Sequence, residues 1–203
     1  MITVIDLNLG NIASIANALK CLGFNYEIVD MPQAIEKSKK LIFPGVGNFF
    51  EAAKRMRANG IDDIIRRKVL EEKFPILGIC LGMQLLAATG EEGGVGRGLG
   101  LIEGRVSLHR AGRLGLRLPH IGWNDVHWDK FPLFEGINTE PCFYFVHSYE
   151  INLAERAEIA HCNYGVEFVA AFQKGHILGV QFHPEKSQEA GLQVLKNYCE
   201  GNY

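Results

Sequence analysis

The sequence predicts an α/β fold, with a mixed, mainly parallel central sheet flanked by helices on both faces and with additional antiparallel strands. In the first half, short apolar runs alternate with segments of helical periodicity, which is typical of βαβ units and a parallel sheet. In the second half, strand-like runs follow one another until a helical pattern returns at residues 188–198. No internal repeat or linker interrupts the 203 residues, so we expect a single domain spanning residues 1–203.

The first half supplies the predicted parallel strands and their crossover helices. Strands are expected at residues 2–6, 26–29, 41–43 and 75–79. The helix that follows the first strand has Asn11 as its cap and Gly23 as its stop. Further helical patterns cover residues 50–70, with a break at Gly60, and residues 81–88, directly after the fourth strand. Right-handed crossovers would then place helices over the sheet.

The second half supplies the predicted extension of that sheet. Strand candidates occur at residues 106–109, 126–128, 142–149, 159–162, 168–172 and 178–182. We interpret them as extra, partly antiparallel strands that extend one mixed sheet. The glycine-rich segment at residues 93–100 is expected to be a surface loop. It fits neither dinucleotide-binding nor Walker A spacing.

Composition narrows the possible functions. The net charge is −2 and no run of basic residues is present, which argues against a nucleic-acid or anionic-membrane partner. The longest apolar stretch, residues 74–83, is far too short to cross a membrane. The five cysteines form no C-x-x-C pair, and no set of ligands has metal-binding spacing, so no metal or other cofactor is expected. Free thiols without a secretory signal pattern favour the cytoplasm.

The clearest catalytic motif is Gly78-Ile79-Cys80-Leu81-Gly82, a nucleophile elbow with cysteine in the usual place of serine. The flanking glycines are needed because a strand that turns sharply into a helix brings two backbones too close for a Cβ. That turn exposes the sulfur at a helix N-terminus, where free amides and the helix dipole favour thiolate. The amide of Leu81 would face an oxyanion beside the sulfur. A buried core cysteine is the alternative, but the strand–turn–helix context favours the nucleophile.

A cysteine nucleophile needs a base and a group that orients the base. His183 ends an apolar run, and Glu185 follows two residues later, on the same side of an extended chain. Parallel sheets place their sites at such strand ends. We therefore expect Cys80, His183 and Glu185 to form a triad. The alternative for the last two is a solvent-exposed turn.

A second loop, Pro44-Gly45-Val46-Gly47, follows the predicted strand at residues 41–43. Its glycines permit a backbone amide to turn toward a neighbouring site, which would supply the second donor of an oxyanion hole. A plain strand-to-helix turn is the competing interpretation.

These motifs together resemble the class I, triad-type glutamine amidotransferases, whose cysteine and histidine motifs are similar to residues 78–84 and 179–185. The resemblance implies their flavodoxin-like fold. Within that family the sequence resembles the glutaminase subunits of imidazole glycerol phosphate synthase. The matching segments span nearly the whole chain: Gly10-Asn11-Ile12, Pro44-Gly45-Val46-Gly47-Asn48-Phe49, Gly98-Leu99-Gly100-Leu101-Ile102, Pro119-His120-Ile121-Gly122-Trp123-Asn124, Phe145-Val146-His147-Ser148-Tyr149 and His183-Pro184-Glu185-Lys186-Ser187.

The resemblance implies a role for each matching position. The triad would be Cys80, His183 and Glu185. The glutamine would be held by Gly47, Gln84, Ser148 and Tyr149. The oxyanion hole would be formed by Gly45, Val46 and Leu81, with a loop that rearranges when the partner is bound and working. The partner and the ammonia route would be faced by Trp123, Asn124, Tyr144 and Lys186.

The resemblance also implies a partner, a (β/α)₈-barrel cyclase that joins the ammonia to a phosphoribulosyl formimino nucleotide in histidine biosynthesis. The pair would be a heterodimer. Two stretches depart from the family pattern. Leu7 and Asn8 replace the aromatic and the first glycine of Asp-Tyr-Gly-x-Gly-Asn, and residues 110–118 do not match well. A paralogous subunit that feeds ammonia to an amidase of surface-polysaccharide sugars is therefore an alternative. A stand-alone cysteine hydrolase and a non-catalytic docking subunit are further rivals.

Overall fold

The computed structural model describes residues 1–10, 12–137 and 141–203 of the chain, so the predicted cap Asn11 lies outside the described residues. In chain order the strands are β1 (Ile2–Ile5), β2 (Tyr26–Val29), β3 (Lys40–Gly45), β4 (Ile76–Cys80), β5 (Ala87–Gly90), β6 (Gly96–Arg97), β7 (Ile102–Leu108), β8 (His120–His127), β9 (Cys142–His147), β10 (Tyr149–Leu153), β11 (Glu158–Asn163), β12 (Glu167–Lys174) and β13 (Ile177–Val180). The helices are α1 (Ile12–Cys21), α2 (Pro32–Ile35), α3 (Phe49–Ala58), α4 (Ile61–Arg66), α5 (Leu81–Leu85) and α6 (Gln188–Glu200).

A nine-stranded mixed sheet organises the molecule, in the order β2-β1-β3-β4-β13-β12-β11-β8-β9. The first five strands in that order pair in parallel, and the remaining pairings are antiparallel. This confirms the predicted mixed sheet, and its parallel part also includes β13 from the second half of the sequence. β4 lies between β3 and β13, so the chain segments that follow these three strands emerge side by side.

Apolar side chains cover both faces of this sheet, as predicted. On one face, α1 and α6 bury residues such as Leu19 and Leu195 against the sheet. On the other face, α3, α4 and α5 bury residues such as Met56, Ile65 and Leu85. Strands enclosed on both faces must be apolar along their whole length, which explains why all five residues of β4 are buried.

The prediction that every strand would join one sheet was wrong. β10, β7, β5 and β6 form a separate four-stranded sheet. The predicted helix at residues 81–88 accordingly stops at Leu85, and the chain enters β5 to pair with β6 and β7. The apolar residues of this stretch suit a buried helix and a buried strand equally, so only the long-range pairing decides. Part of the expected glycine-rich loop is β6.

The predicted break at Gly60 is confirmed, because this residue separates α3 from α4 with a φ of 67°. The helical region that follows ends in a wider π-type turn at Arg67–Glu71. Within the described ranges, no helix combines the length and the apolar composition needed to cross a membrane.

Lys40, the first residue of β3, closes the C-terminal end of α6. Its ammonium donates to the main-chain carbonyls of Tyr198, Cys199 and Gly201 at 2.9, 2.9 and 2.7 Å. The last carbonyls of a helix receive no hydrogen bond from within the helix. A cation there supplies donors and complements the negative end of the helix dipole. The contact therefore ties the parallel half of the sheet to the last helix.

Replacing Lys40 with methionine should destabilise the protein, because the apolar stem is kept while three buried carbonyls lose their donor. We expect the free energy of unfolding to fall by about 2 kcal/mol, as for other hydrogen bonds to a charged group. Urea denaturation followed by circular dichroism measures this. Lys39→Met, at the exposed neighbouring position, is the control, and equal losses in the two variants would contradict the capping role.

Candidate active site

Cys80 ends β4 in a backbone conformation that few side chains adopt, with φ 54° and ψ −111°. α5 begins at the next residue, so the chain reverses from strand to helix at the cysteine itself. A Cβ at Gly78 would lie 2.7 Å from the main chain of Met83, and one at Gly82 would lie 1.7 Å from the carbonyl oxygen of Phe43. Both glycines are therefore required, and the chain makes the sharp strand-to-helix turn predicted for this motif, while the role of Cys80 as nucleophile stays a prediction. Strain of this kind at a non-glycine residue is characteristic of functional sites.

The N-terminal amides of α5 lie beside the Cys80 sulfur. Leu81 is the first residue of the helix, so its N–H has no acceptor within the helix and is free to face an oxyanion. The helix is only five residues long, shorter than predicted, so its dipole is smaller than that of a full helix. Its individual N-terminal amides therefore contribute more to stabilising a negative charge at the sulfur than its dipole does.

His183 follows the end of β13, and Glu185 lies in the 3₁₀ turn Pro184–Lys186. The Nδ1 atom of His183 is 2.8 Å from Oε1 of Glu185, and only 3% and 5% of these side chains are exposed. A carboxylate accepts, so Nδ1 carries the proton and Nε2 is directed elsewhere. Nε2 is buried and makes no other well-formed hydrogen bond to the described residues, which leaves it available for chemistry.

The environment of His183 favours its charged form. Burial alone would lower its pKa, but the negative charge of the nearby Cys80 sulfur and the Glu185 carboxylate outweigh burial and raise the pKa of His183 to about 10. The imidazolium should therefore persist at neutral pH beside Cys80 and Glu185. The structure thus brings the three predicted triad residues together.

A cavity of about 220 Å³ opens beside Cys80. Its walls include every residue expected to hold glutamine, namely Gly47, Gln84, Ser148 and Tyr149. They come from the loop after β3, from α5 and from the junction of β9 and β10, and all of them line the cavity although β9 is the far edge strand of the large sheet and β10 belongs to the small one. The cavity is the size of a small amino acid with room for water.

Glu92 lines the same cavity and was missed by the sequence analysis. Its Oε2 accepts a hydrogen bond from the main-chain N–H of Phe49 at 3.2 Å, which orients the carboxyl group, and burial raises its pKa. Glu92 belongs to the segment before the glycine-rich stretch, where an acidic residue resembles an ordinary loop residue. Only the pairing of the small sheet brings it to the site.

The predicted oxyanion loop lies next to the nucleophile, since Gly45 is directly opposite Cys80 in the parallel pairing of β3 and β4. In the conformation observed, however, the main-chain N–H of Val46 donates to the carbonyl of Leu9 at 3.2 Å. This amide is therefore already engaged. Gly47, at φ 107° with open space around its Cα, gives the loop freedom to change conformation.

Three of the four residues expected to face a partner form one surface cluster. The rings of Trp123 and Tyr144 are 6.0 Å apart, and the Lys186 ammonium lies 5.7 Å from the Tyr144 ring centre. Tyr144 in turn lies 6.4 Å from the ring of His183, so the cluster adjoins the triad. Asn124 points to the opposite side of β8, where it contacts His120 and the carbonyl of Asn163. The structure does not bring it to the cluster.

Within residues 1–10, 12–137 and 141–203, His, Cys, Asp and Glu side chains form no group that would hold a metal ion.

The sequence matches the family profile described as "Glutamine amidotransferase class-I" over residues 3–200. The chain belongs to this family.

Its curated relatives narrow the assignment within the glutamine amidotransferases. "Imidazole glycerol phosphate synthase subunit HisH 1" of Campylobacter jejuni (strain RM1221) is 45% identical over 199 residues, 98% of each chain. The HisH subunit of Moorella thermoacetica is 45% identical, covering 98% of this chain and 94% of that protein. HisH 2 of Pseudomonas aeruginosa is 41% identical, covering 98% and 99%. This glutamine amidotransferase thus falls within the HisH family.

Solved structures show the same fold at lower identity. A crystal structure titled as a glutamine amidotransferase superposes with a TM-score of 0.77 at 24% identity, covering 97% of this chain and 98% of that one. The structure of PurLQS from Thermotoga maritima gives a TM-score of 0.78 at 18% identity, with 98% and 96% covered. The predicted glutamine amidotransferase fold is therefore confirmed.

The two departures from the family pattern have physical explanations. Asn8 stands where the family usually has glycine, and it adopts φ 56°, a conformation that asparagine tolerates better than most residues. Its N–H is held by Oδ1 of Asp6 at 2.6 Å. In the unmatched stretch, Arg110 pairs with the buried Glu150 at 2.8 Å.

Replacing Cys80 with serine should lower the pKa of His183, because a neutral hydroxyl removes the main charge that favours the imidazolium. Histidine ¹⁵N chemical shifts, followed against pH, report this directly. In the unmodified protein we expect the imidazolium to persist until the pH approaches about 10, and its contribution to stability, complete below the ordinary histidine pKa, to be lost through that range. Cys142→Ser, at a partly buried cysteine outside the site, is the control. An unshifted titration in the Cys80 variant would contradict the pairing.

Proposed function

We propose that this chain hydrolyses glutamine through a thioester on Cys80 and supplies the ammonia to the cyclase subunit of an imidazole glycerol phosphate synthase, in the cytoplasm, for histidine biosynthesis. The observation that carries the proposal is the elbow cysteine, which stands between a buried His183–Glu185 pair and a cavity suited to an amino acid. Membership of the HisH family supports the pathway.

The first half of the reaction forms the thioester. The Cys80 thiolate attacks the side-chain carbonyl carbon of glutamine, and the carbonyl electrons move to oxygen. When the tetrahedral intermediate collapses, the C–N bond breaks and Nε2 of His183 donates its proton to the departing nitrogen, which leaves as ammonia. Glu185 keeps the ring in the correct tautomer and orientation throughout.

The second half releases glutamate. Neutral His183 takes a proton from water, the resulting hydroxide attacks the thioester carbonyl, and the C–S bond breaks to return the Cys80 thiolate. His183 is again an imidazolium at this point, so the resting pair is restored. The new carboxyl group loses its proton to solvent.

The cavity matches the two ends of free glutamine. The backbone end of glutamine carries an ammonium group. Glu92 supplies a carboxylate to bind that ammonium, and the main-chain N–H of Phe49 already orients it. Gln84 uses both amide hydrogens on protein acceptors, so its Oε1 is left to accept from the substrate. The main chain of Gly47 and the Ser148–Tyr149 segment complete the walls. We propose that these contacts place the side-chain carbonyl against Cys80.

The oxyanion hole is incomplete in the conformation observed. The Leu81 amide is free, whereas the Val46 amide donates to Leu9. For Gly45, Val46 and Leu81 to act together, the loop must release Leu9 and turn the Val46 amide toward the site. One such donor is typically worth 10²–10³ in rate. Glutamine hydrolysis should therefore be slow until the partner is engaged.

The exposed cluster of Trp123, Tyr144 and Lys186 is proposed as part of the docking surface for a (β/α)₈-barrel cyclase, and Ile121, 57% exposed, extends it. Because Tyr144 touches His183, a partner seated there would also cover the place where ammonia leaves. Ammonia released into bulk water would be protonated and would lose its nucleophilic lone pair. Asn124 faces away from this cluster, so its proposed part in the ammonia route would be exerted from the opposite side of β8.

Glutamate release should depend on both the partner and its substrate. We expect little release by this chain alone, some with a histidine-pathway cyclase subunit, and a rise of about 10² or more when the nucleotide substrate is added, because the second oxyanion donor is then in place. Coupled glutamate dehydrogenase measures release. No rise, with Cys80 still labelled by an electrophilic glutamine analogue, would instead favour the sugar-modifying amidotransferase. High turnover without any partner would favour a stand-alone hydrolase.

Cys80→Ala should reduce glutamate release by about 10⁴-fold or more, since the covalent intermediate cannot form. Circular dichroism and co-elution with the cyclase subunit should match those of the unmodified protein, which shows that the variant still folds and docks. Cys162→Ala, at a buried cysteine of β11, is the matched control and should retain activity. Residual glutamate release by Cys80→Ala near the original rate would contradict the nucleophile.

Glu92→Gln should raise the KM for glutamine by roughly 10-fold or more while leaving kcat less affected, because it removes the negative charge that faces the substrate ammonium. Steady-state kinetics in the presence of the partner and its substrate provide the measurement. Glu91→Gln is the control, since the neighbouring carboxylate is engaged by Arg105 outside the cavity. A lower kcat at constant KM would argue for a different role.

A further inference from the structure

Gln181 lies two residues before the catalytic histidine, is fully buried, and has no role in the mechanism described so far. Its Nε2 lies 3.7 Å from the Cys80 sulfur in donor geometry. Its Oε1 accepts a hydrogen bond of 3.0 Å from Nε2 of Gln84. A buried carboxamide that bridges the nucleophile and a substrate-binding residue is unexpected at the end of an apolar strand.

The direction of this bridge is fixed by a single main-chain carbonyl. The oxygen of Tyr149 lies 3.0 Å from Gln84 and can only accept, so Gln84 must present its NH₂ group there. The same NH₂ group also donates to the side chain of Gln181, so the Gln181 atom that accepts this bond must be its oxygen. The remaining end of Gln181, the one that faces Cys80, is then its NH₂ group. Rotating the Gln181 carboxamide by 180° would place its NH₂ group against the NH₂ group of Gln84, and both groups are donors.

The Tyr149 carbonyl is itself held by a second donor. Nδ1 of His147 lies 2.9 Å from it, so that nitrogen carries a proton. Burial lowers the pKa of His147 to about 3, so the ring is neutral and its Nε2 accepts from Nδ1 of His120 at 3.1 Å. Both lone pairs of the carbonyl are thus used, one by Gln84 and one by His147, and no alternative arrangement of the amides is available.

We propose that Gln181 is a further catalytic residue, which donates an N–H to the Cys80 sulfur and stabilises it whenever it carries negative charge. The inference rests on the proposed function of Cys80 as the nucleophile. A thiolate accepts such a bond more strongly than a thiol or a thioester does, so the donation favours the attacking form. It also assists the second half of the reaction, when the sulfur departs from the tetrahedral intermediate with its electron pair.

This contribution is separate from that of His183. The imidazole gives up its proton in the first step and is neutral when the thioester forms, whereas the Gln181 amide has no proton to lose and is available at every stage. Because Gln84 holds Gln181 and also lines the glutamine cavity, the same hydrogen bonds that position the substrate contact keep the amide directed at the sulfur.

The test is the rate at which iodoacetamide alkylates Cys80, measured by mass spectrometry of the Cys80 peptide. Gln181→Met keeps the length of the side chain and removes the donor. The rate is followed against pH, and we expect the pH profile of Gln181→Met to move about one unit to higher pH, the effect of losing one hydrogen bond to a charged group. Gln173→Met, at a glutamine whose side chain donates to the Gly175 carbonyl, should keep the profile of the unmodified protein.

A second variant separates donation from packing. Gln181→Glu is nearly isosteric, and its protonated form has one donor and one acceptor, as the amide has. Its alkylation rate relative to the unmodified protein should fall as the pH rises and the new carboxyl group ionises, a decline that Gln181→Met does not show. With the partner and its substrate present, Gln181→Met should lower kcat for glutamate release about tenfold or more with little change in KM.

The outcomes distinguish this inference from the function on which it rests. An unmoved pH profile in Gln181→Met would overturn the role of Gln181 while leaving glutamine hydrolysis intact. Slowing by the same factor at every pH, in Gln181→Met or in Gln181→Glu, would show a packing effect and would also overturn it. Failure of the proposed function would appear instead as no glutamate release by the unmodified protein in any mixture.

Discussion

The close approach of α5 to the end of β3 is the constraint on which the rest of the structure depends. The main chain passes the carbonyl of Phe43 at a distance that excludes any side chain at Gly82, and the same reversal forces Cys80 into a positive φ. Such a conformation is costly for a residue with a Cβ and persists only where the surroundings determine it. The parallel strands on either side of β4 and the apolar layer beneath α5 supply those surroundings, and they leave the sulfur facing the cavity.

Around this reversal, several buried polar groups of the site are hydrogen-bonded to one another. The Tyr149 carbonyl joins Gln84 and His147, and through them Gln181 and His120, into a buried network. In such a network each donor and acceptor fixes the next, because an unpaired buried group would cost more than the bond it loses. The antiparallel half of the sheet thereby contributes to the geometry of a nucleophile that belongs to the parallel half.

The features that could be predicted from the sequence are those that depend on neighbouring residues in the chain. The elbow is defined by two glycines within two residues of Cys80, and the base and its orienting carboxylate are two residues apart, so both motifs are visible without a structure. The βαβ alternation likewise predicted the parallel sheet.

The position of β5 could not be predicted in this way, because an apolar stretch pairs as a strand only when β7, far along the chain, is in place. Glu92 and Gln181 were missed for the same reason: a lone acidic residue and a lone glutamine carry no local signal. The histidines at positions 109, 120 and 147, far apart in sequence, likewise meet only in the folded sheet.

The hydrogen bond between the Val46 amide and the Leu9 carbonyl has a consequence for the cell as well as for the mechanism. Glutamine is abundant and is the nitrogen source for many syntheses, so a glutaminase that worked continuously would drain it and release ammonia to no purpose. Under the proposed mechanism, this single main-chain contact withholds one of the groups that would stabilise the reaction's charged intermediate. Nitrogen would then be drawn from glutamine only when an acceptor is present, without a separate regulatory domain.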